Sequence, residues 1–202
     1  VEAIAAFWTE AGLDVTVTIP EWSEYLSRIF DPETRPDIYY SSSANELFHA
    51  AVKYVRPDEL PKLAEAGVEV VGENRAQELT SKHAAHGELF EWDFIGALQS
   101  RKVKEIAPLA RLIHSVASES ALGQLEQHPA REVLIQVNVA GEHGKAGIAP
   151  GDLAAFVGAC PVPVGGLMTM PPFVERAEDN RRHFARLAQL AEGHRLARLS
   201  MG

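Results

Sequence analysis

From residue 50 to the end of the chain, short apolar runs alternate with segments of helical period. The runs are Ala50–Val55, Val68–Gly72, Trp92–Gly96, Leu112–Val116, Val133–Val139, Val162–Met168 and Arg198–Met201. They are too short for helices and largely continuous in their apolar character, the pattern of strands covered on both faces. Between them, Pro57–Ala66 opens with proline and acids and stops at Gly67, a clear helix start and stop. Asn74–His83 has apolar residues at helical spacing, and Ser100–Ala110 places Val103, Ile106, Ala107 and Ala110 on one face. Ser118–Gln127 starts on serine with acids early, Gly151–Gly158 has Asp152 in its first turn, and Glu175–Glu192 turns Phe184, Leu187, Ala188 and Ala191 inward. Strands that alternate with helices of this length predict an α/β fold with a parallel sheet. Seven strands are counted, where a closed (β/α)8 TIM-barrel needs eight. The expectation is therefore an incomplete barrel over residues 49–202, short of its last strand.

Residues 1–48 follow another pattern. Val1–Gly12 is amphipathic with helical period, and Val15, Val17 and Ile19 alternate like a half-exposed strand. Pro20–Phe30 has proline at a helix start. Asp31–Pro36 is a turn-rich loop, and Asp37–Tyr40 a short strand candidate running into Ser41–Ser43. Aromatic residues are dense here: Phe7, Trp8, Trp22, Tyr25, Phe30, Tyr39 and Tyr40. No repeat joins this part to the rest, so it is read as an N-terminal extension or a foreign fragment with a junction near Leu47–Ala51.

Composition narrows the function class. A net charge of −9 over 202 residues argues against a general nucleic-acid surface, which needs a basic face. A local anion pocket stays open, because backbone N–H groups make one without net charge. The single cysteine, Cys160, forbids an internal disulfide and fits a reducing, cytoplasmic compartment. No apolar stretch approaches a membrane span, and no signal peptide is visible. The first residue is Val1, not Met, which fits a fragment or a processed product.

Lys53 carries the sharpest chemistry. A lysine inside a buried strand must neutralise, pair or react, because an unpaired buried ammonium is very costly. Desolvation lowers its pKa and makes the amine a nucleophile, the usual route to a Schiff base. The alternative is a strand-end lysine whose ammonium reaches water. Glu73 could act as a general base or serve as a structural carboxylate paired to a neighbouring strand. His83 and His86 could share a metal, but without a third ligand two solvated histidines is the simpler reading. Gly141–Lys145 is a poor phosphate loop, with Val139 in place of the first glycine and Ala146 in place of the hydroxyl residue. Arg101, Lys102 and Lys104 read as a solvated helix face.

Barrel enzymes place working groups at the carboxyl ends of strands. Lys53, Gly72-Glu73-Asn74, Phe94-Ile95-Gly96 and Ser200-Met201-Gly202 all fall there. With Asn74-Arg75-Ala76-Gln77-Glu78, Trp92-Asp93-Phe94-Ile95-Gly96-Ala97-Leu98-Gln99-Ser100-Arg101-Lys102, Leu134-Ile135-Gln136-Val137-Asn138-Val139, Lys145-Ala146-Gly147 and Gly166-Leu167-Met168-Thr169-Met170-Pro171, they form an ordered set. That set, from about Ala50 to Gly202, resembles the pyridoxal phosphate homeostasis proteins, single-domain relatives of the alanine racemase barrel. The resemblance implies pyridoxal 5′-phosphate as cofactor, held by Lys53 as an internal aldimine. It implies Asn74 as a polar contact beside the cofactor, and Ser200, Met201 and Gly202 as the start of a phosphate cup. Such a cup suits the chemistry of a dianion, which wants a hydroxyl and backbone N–H groups.

The implied role is cytoplasmic vitamin B6 homeostasis by a monomer, with no catalytic residue, no metal, and pyridoxal-phosphate-dependent apoenzymes as possible recipients. Three rivals are an amino-acid racemase-like enzyme, a solute-binding module based on residues 1–48, and a non-functional chimeric fragment. Asp93 stands where histidine is common in the family, and the family's further phosphate contacts and its eighth strand are not found after Gly202. Residues 1–48, through Thr9–Val15 and Glu21–Leu26, resemble instead a lobe of peptide-type solute-binding proteins of ABC transporters.

Overall fold

The computed structural model describes residues 49–51, 60–65, 67–172, 174 and 177–201. The expectations for residues 1–48, and most of the lysine strand, lie outside the described residues. Among the described residues seven strands form one sheet: β1 (His49–Ala51), β2 (Val70–Glu73), β3 (Glu91–Phe94), β4 (Leu112–Val116), β5 (Val133–Gln136), β6 (Val164–Thr169) and β7 (Arg198–Met201). Their spatial order is the sequence order, and every neighbouring pair is parallel. The crossovers carry α1 (Leu60–Glu65), α2 (Ala76–His86), α3 (Val103–Ile106), α4 (Glu119–Gln127), α5 (Leu153–Ala159) and α6 (Arg181–Gly193). Right-handed crossovers between strands in unbroken order put every helix on the same face. The sheet then curls with the helices outside, as in TIM-like folds.

One contact demonstrates the curl. His114 on β4 and Ser200 on β7 meet at 3.0 Å. Adjacent strands lie about 4.8 Å apart, so three steps across a flat sheet would separate these strands by roughly 14 Å. The contact requires the sheet to bend round.

The core is correspondingly two-sided. A large cluster, including Val71, Trp92, Phe94, Ile113, Val133, Ile135 and Leu167, packs under the helices, against Leu63, Leu79, Ile106, Leu125, Leu153 and Leu187. A small separate cluster of Leu112, Leu134 and Met168 lies apart from it. Leu112, Leu134 and Met168 alternate along β4, β5 and β6 with Ile113, Ile135 and Leu167 of the large cluster, as strand period two requires.

Local chemistry explains two helix ends. Gly67 (φ 84°) ends the first crossover helix, with Val68 N–H donating to Leu63 O and Gly67 N–H to Ala64 O. That paired arrangement satisfies carbonyls a helix end would otherwise leave bare. Ser118 caps α4, its hydroxyl accepting from Ala121 N–H. Many boundaries differ from expectation by one or more residues, β2, β3 and β6 among them, and three bear on the site or its packing. Asn74 and Arg75 stay outside α2, because Arg75 is extended and the helix begins at Ala76. The Ser100 segment opens as a 3₁₀ turn, Ser100–Lys102, before α3, yet Val103, Ile106, Ala107 and Ala110 are all buried as their spacing predicts. β5 stops at Gln136, and Val137 forms an isolated parallel bridge with Ile148. In α6, Leu187 and Ala191 are buried, whereas Phe184 and Ala188 are only partly covered.

Candidate functional site

The carboxyl rim of β2, β3 and β4 is tightly tied. Ile95 N–H donates to Glu73 O at 2.9 Å, and the Ser115 hydroxyl donates to Gly96 O. At Gly96 a Cβ would lie 2.0 Å from Asn74 O, so only glycine lets these two rim loops approach. Asn74 is half-buried there, and its Oδ1 is buried without a protein partner. Such an orphaned acceptor is uncommon in a native fold and calls for a group to satisfy it.

Glu73 itself is fully buried and meets Lys82 of α2, with Nζ donating to Oε1 at 2.5 Å. Burial pushes the Glu73 carboxyl above its ordinary range, while the Lys82 hydrogen bond and charge pull it back. Of the two readings of Glu73, this geometry favours the structural carboxylate. Its partner is the helix covering the strand, not a neighbouring strand. His83, expected to be solvated, is half-buried with its ring 6.0 Å from that of Trp92. Among the described residues, no group of three or more His, Cys, Asp or Glu side chains is arranged to hold a metal ion.

A second polar system crosses the concave side of the sheet. Asp93 on β3 is fully buried and accepts two bonds from Arg111, from Nε to Oδ1 at 2.9 Å and from Nη2 to Oδ2 at 2.7 Å. His114 on β4 places Nε2 3.2 Å from Asp93 Oδ2 and Nδ1 3.0 Å from Ser200 Oγ. A guanidinium fork on a carboxylate is among the strongest neutralising arrangements for a buried charge. Asp93, at the position flagged as a departure from the family pattern, is therefore the anchor of a chain Arg111–Asp93–His114–Ser200.

The predicted site residues fall out as follows. Lys53 and Gly202 lie outside the described residues. Asn74 is at the carboxyl end of β2 and Ser200 is near the carboxyl end of β7. Met201 alternates with Ser200 and packs against the large core under the helices, so its side chain serves packing. The phosphate-loop candidate, Gly141–Lys145, instead closes on Asn138, whose side chain bonds Glu142 N–H at 3.2 Å and Glu142 O at 2.8 Å. Arg101 and Lys104 are exposed as expected, while Lys102 is partly covered and paired with Glu105. Sequence reasoning missed Lys82, Arg111 and His114.

A parallel sheet in sequential strand order, helices outside and polar groups gathered on its concave side make a TIM-like α/β fold. The alanine racemase of Corynebacterium glutamicum has a similar fold, with a TM-score of 0.51 over 69% of this chain and 42% of that one, at 16% identity. PipY of Synechococcus elongatus, solved without pyridoxal phosphate, matches with a TM-score of 0.68 over 89% of this chain and 88% of its own, at 26% identity. The structure of PipY with pyridoxal phosphate bound gives a TM-score of 0.64 over 88% of this chain and 86% of that one, at 25% identity. In sequence, the pyridoxal phosphate homeostasis protein of Aquifex aeolicus is 38% identical over 152 residues, covering 70% of this chain and 67% of that protein. That of Pseudomonas aeruginosa is 40% identical over 136 residues, covering 62% of this chain and 59% of its own. No protein-family model matches the chain. The chain belongs to the pyridoxal phosphate homeostasis protein family. It spans about three fifths to two thirds of the length of these curated relatives.

Proposed function

We propose that this chain holds pyridoxal 5′-phosphate and serves vitamin B6 homeostasis. The observation that carries the reading is the buried, unpartnered Asn74 Oδ1 at the carboxyl rim of the sheet, the end where such barrels bind ligands. The residues fit the cofactor. Asn74 offers a free acceptor to a polar group of the ring, and Ser200 offers a hydroxyl to the phosphate. In sequence, Lys53 follows β1 by two positions, and Ala51 of β1 pairs with Gly72 on β2. When bound, the cofactor supplies an aldehyde that condenses with a primary amine. In this reading Lys53 supplies the amine, Asn74 orients the ring, and Ser200 with the backbone of Met201 and Gly202 begins the phosphate cup.

The same reading treats the seven strands as seven of the eight in an alanine racemase-type barrel over residues 49–202, with residues 1–48 an appended segment. It has the protein act as a cytoplasmic monomer that hands cofactor to apoenzymes. Membership in a family whose curated relatives bear the homeostasis name supports this role. The test is direct. Protein mixed with pyridoxal phosphate and reduced with borohydride should carry the label on Lys53 by peptide mass spectrometry, and Lys53→Ala should lose it. Label spread over surface lysines, unchanged in Lys53→Ala, would refute the reading.

A further inference from the structure

We propose that His114 is a positioning residue that decides whether the Ser200 hydroxyl can donate to a phosphate, by gaining a proton as the anion arrives. The proposal rests on the reading of Ser200 as a phosphate contact, and deepens it.

The argument begins at Asp93. An ionised carboxylate only accepts hydrogen bonds, and an arginine never gives up its charge in a protein. The Arg111 fork on both oxygens therefore keeps Asp93 an acceptor, and His114 Nε2, 3.2 Å from Oδ2, must carry a hydrogen. In a neutral ring, Nδ1 is then a bare acceptor. Ser200 Oγ, 3.0 Å away, has one hydrogen, and it goes to Nδ1. In that state the hydroxyl presents only lone pairs to whatever lies beyond it. A phosphate dianion also presents only lone pairs, so the two repel. Protonation of Nδ1 reverses the bond. His114 then donates to Ser200 Oγ, and the freed hydroxyl hydrogen turns to the phosphate oxygen. One proton, taken from solvent, converts Ser200 from an acceptor into a donor, and no bond other than these hydrogen bonds changes.

The surrounding charges suit this switch. Asp93 from β3 faces the ring directly, with Arg111 paired to the same carboxylate. Ser200 faces the ring from β7. The intervening strands β5 and β6 carry the uncharged Leu134, Gln136 and Met168 among their buried residues. An arriving dianion adds the charge that tips the balance. His114 is buried, at 6% exposure.

The experiment is ring-nitrogen NMR on protein labelled with ¹⁵N-histidine, the His114 signals being assigned by their loss in His114→Gln. Without ligand at pH 7.5, the ring should show the neutral, Nε2-protonated pattern, with its two nitrogens widely split. Inorganic phosphate or pyridoxal phosphate should merge them into the imidazolium pattern, and Ser200→Ala should abolish that response. An Nδ1-protonated ring, or a ring left neutral by saturating pyridoxal phosphate, would overturn the proposal. Borohydride trapping on the same samples keeps the two ideas apart. Trapping on Lys53 with His114 still neutral defeats the switch and leaves cofactor binding standing. Protonation of His114 by pyridoxal phosphate without trapping on Lys53 defeats the Lys53 assignment and leaves the switch standing.

Discussion

Replacing Lys82 with methionine isolates the cost of leaving a carboxyl alone beneath a helix. Methionine fills much the same volume as the lysine stem, so packing changes little while the charge and the 2.5 Å bond to Glu73 are lost. Glu73 stays fully buried, and its second oxygen already lacks a partner. Breaking a buried pair from one side typically costs about 3–5 kcal/mol. Here the carboxyl can escape by taking a proton, which sets a ceiling on the electrostatic part. From the ordinary carboxyl value of 4.5, holding the proton at pH 7 spans two and a half units, at about 1.36 kcal/mol each, or about 3.4 kcal/mol.

The sign follows from proton linkage. A raised carboxyl pKa makes the folded state hold the proton more tightly than the unfolded one. The contribution of Glu73 to stability is therefore greatest below 4.5 and falls as pH rises from there towards the folded value. Lys82→Met raises the folded value further, so its loss at pH 7 lies below this ceiling, because the parent Glu73 already bears part of it, and it shrinks by up to about 1.4 kcal/mol per unit on acidification. Urea unfolding at pH 7 and pH 5 measures this, and at pH 7 the ceiling corresponds to a drop in melting temperature of at most about 7–14 °C, at 2–4 °C per kcal/mol for a chain this size. An equal loss at both pH values would show that the pair's charge contributes nothing and that Lys82 matters only through packing.

Gly96→Ala drives a methyl into the Asn74 carbonyl, so the rim loops must part; a loss of about 1–3 kcal/mol in chemical denaturation is expected, together with weaker pyridoxal phosphate retention on dialysis. Ser118→Ala removes the hydroxyl that caps α4 and should cost about 1 kcal/mol in the same assay, leaving cofactor trapping unchanged.

The outer architecture was legible because each strand and helix carries its own local signal. β4 and β7 have the bounds that the apolar runs Leu112–Val116 and Arg198–Met201 predict, and the Ser118 cap is where a serine before a helical period should be. Boundaries failed where tertiary contacts decide them, as at Val137, which leaves β5 to bridge Ile148. The inner polar chain was harder to read, because it joins residues as far as 86 positions apart, His114 and Ser200. Its signal was nonetheless present. His114 interrupts the apolar run of β4 as Lys53 interrupts its own run, and a polar residue buried in a strand needs a partner. Lys82 continues the buried stripe Ala76, Leu79 at a spacing of three, so a charged residue on a covered helix face was visible before its partner was.

The unbroken strand order has a consequence for how the molecule assembles and loosens. Each strand pairs with the next in sequence, so the fold can lengthen by adding one strand and its helix to an existing stack, with only a short segment to close at each step. The interior members are held on both sides, whereas β1 and β7 each have one neighbour among the described residues. Amide exchange should therefore proceed as a gradient, slowest in β4 and β5 and fastest towards the flanks. The link from His114 to Ser200 is the exception, a brace thrown from the slow centre to one fast flank, so that β7 is slowed beyond what its single partner strand would provide.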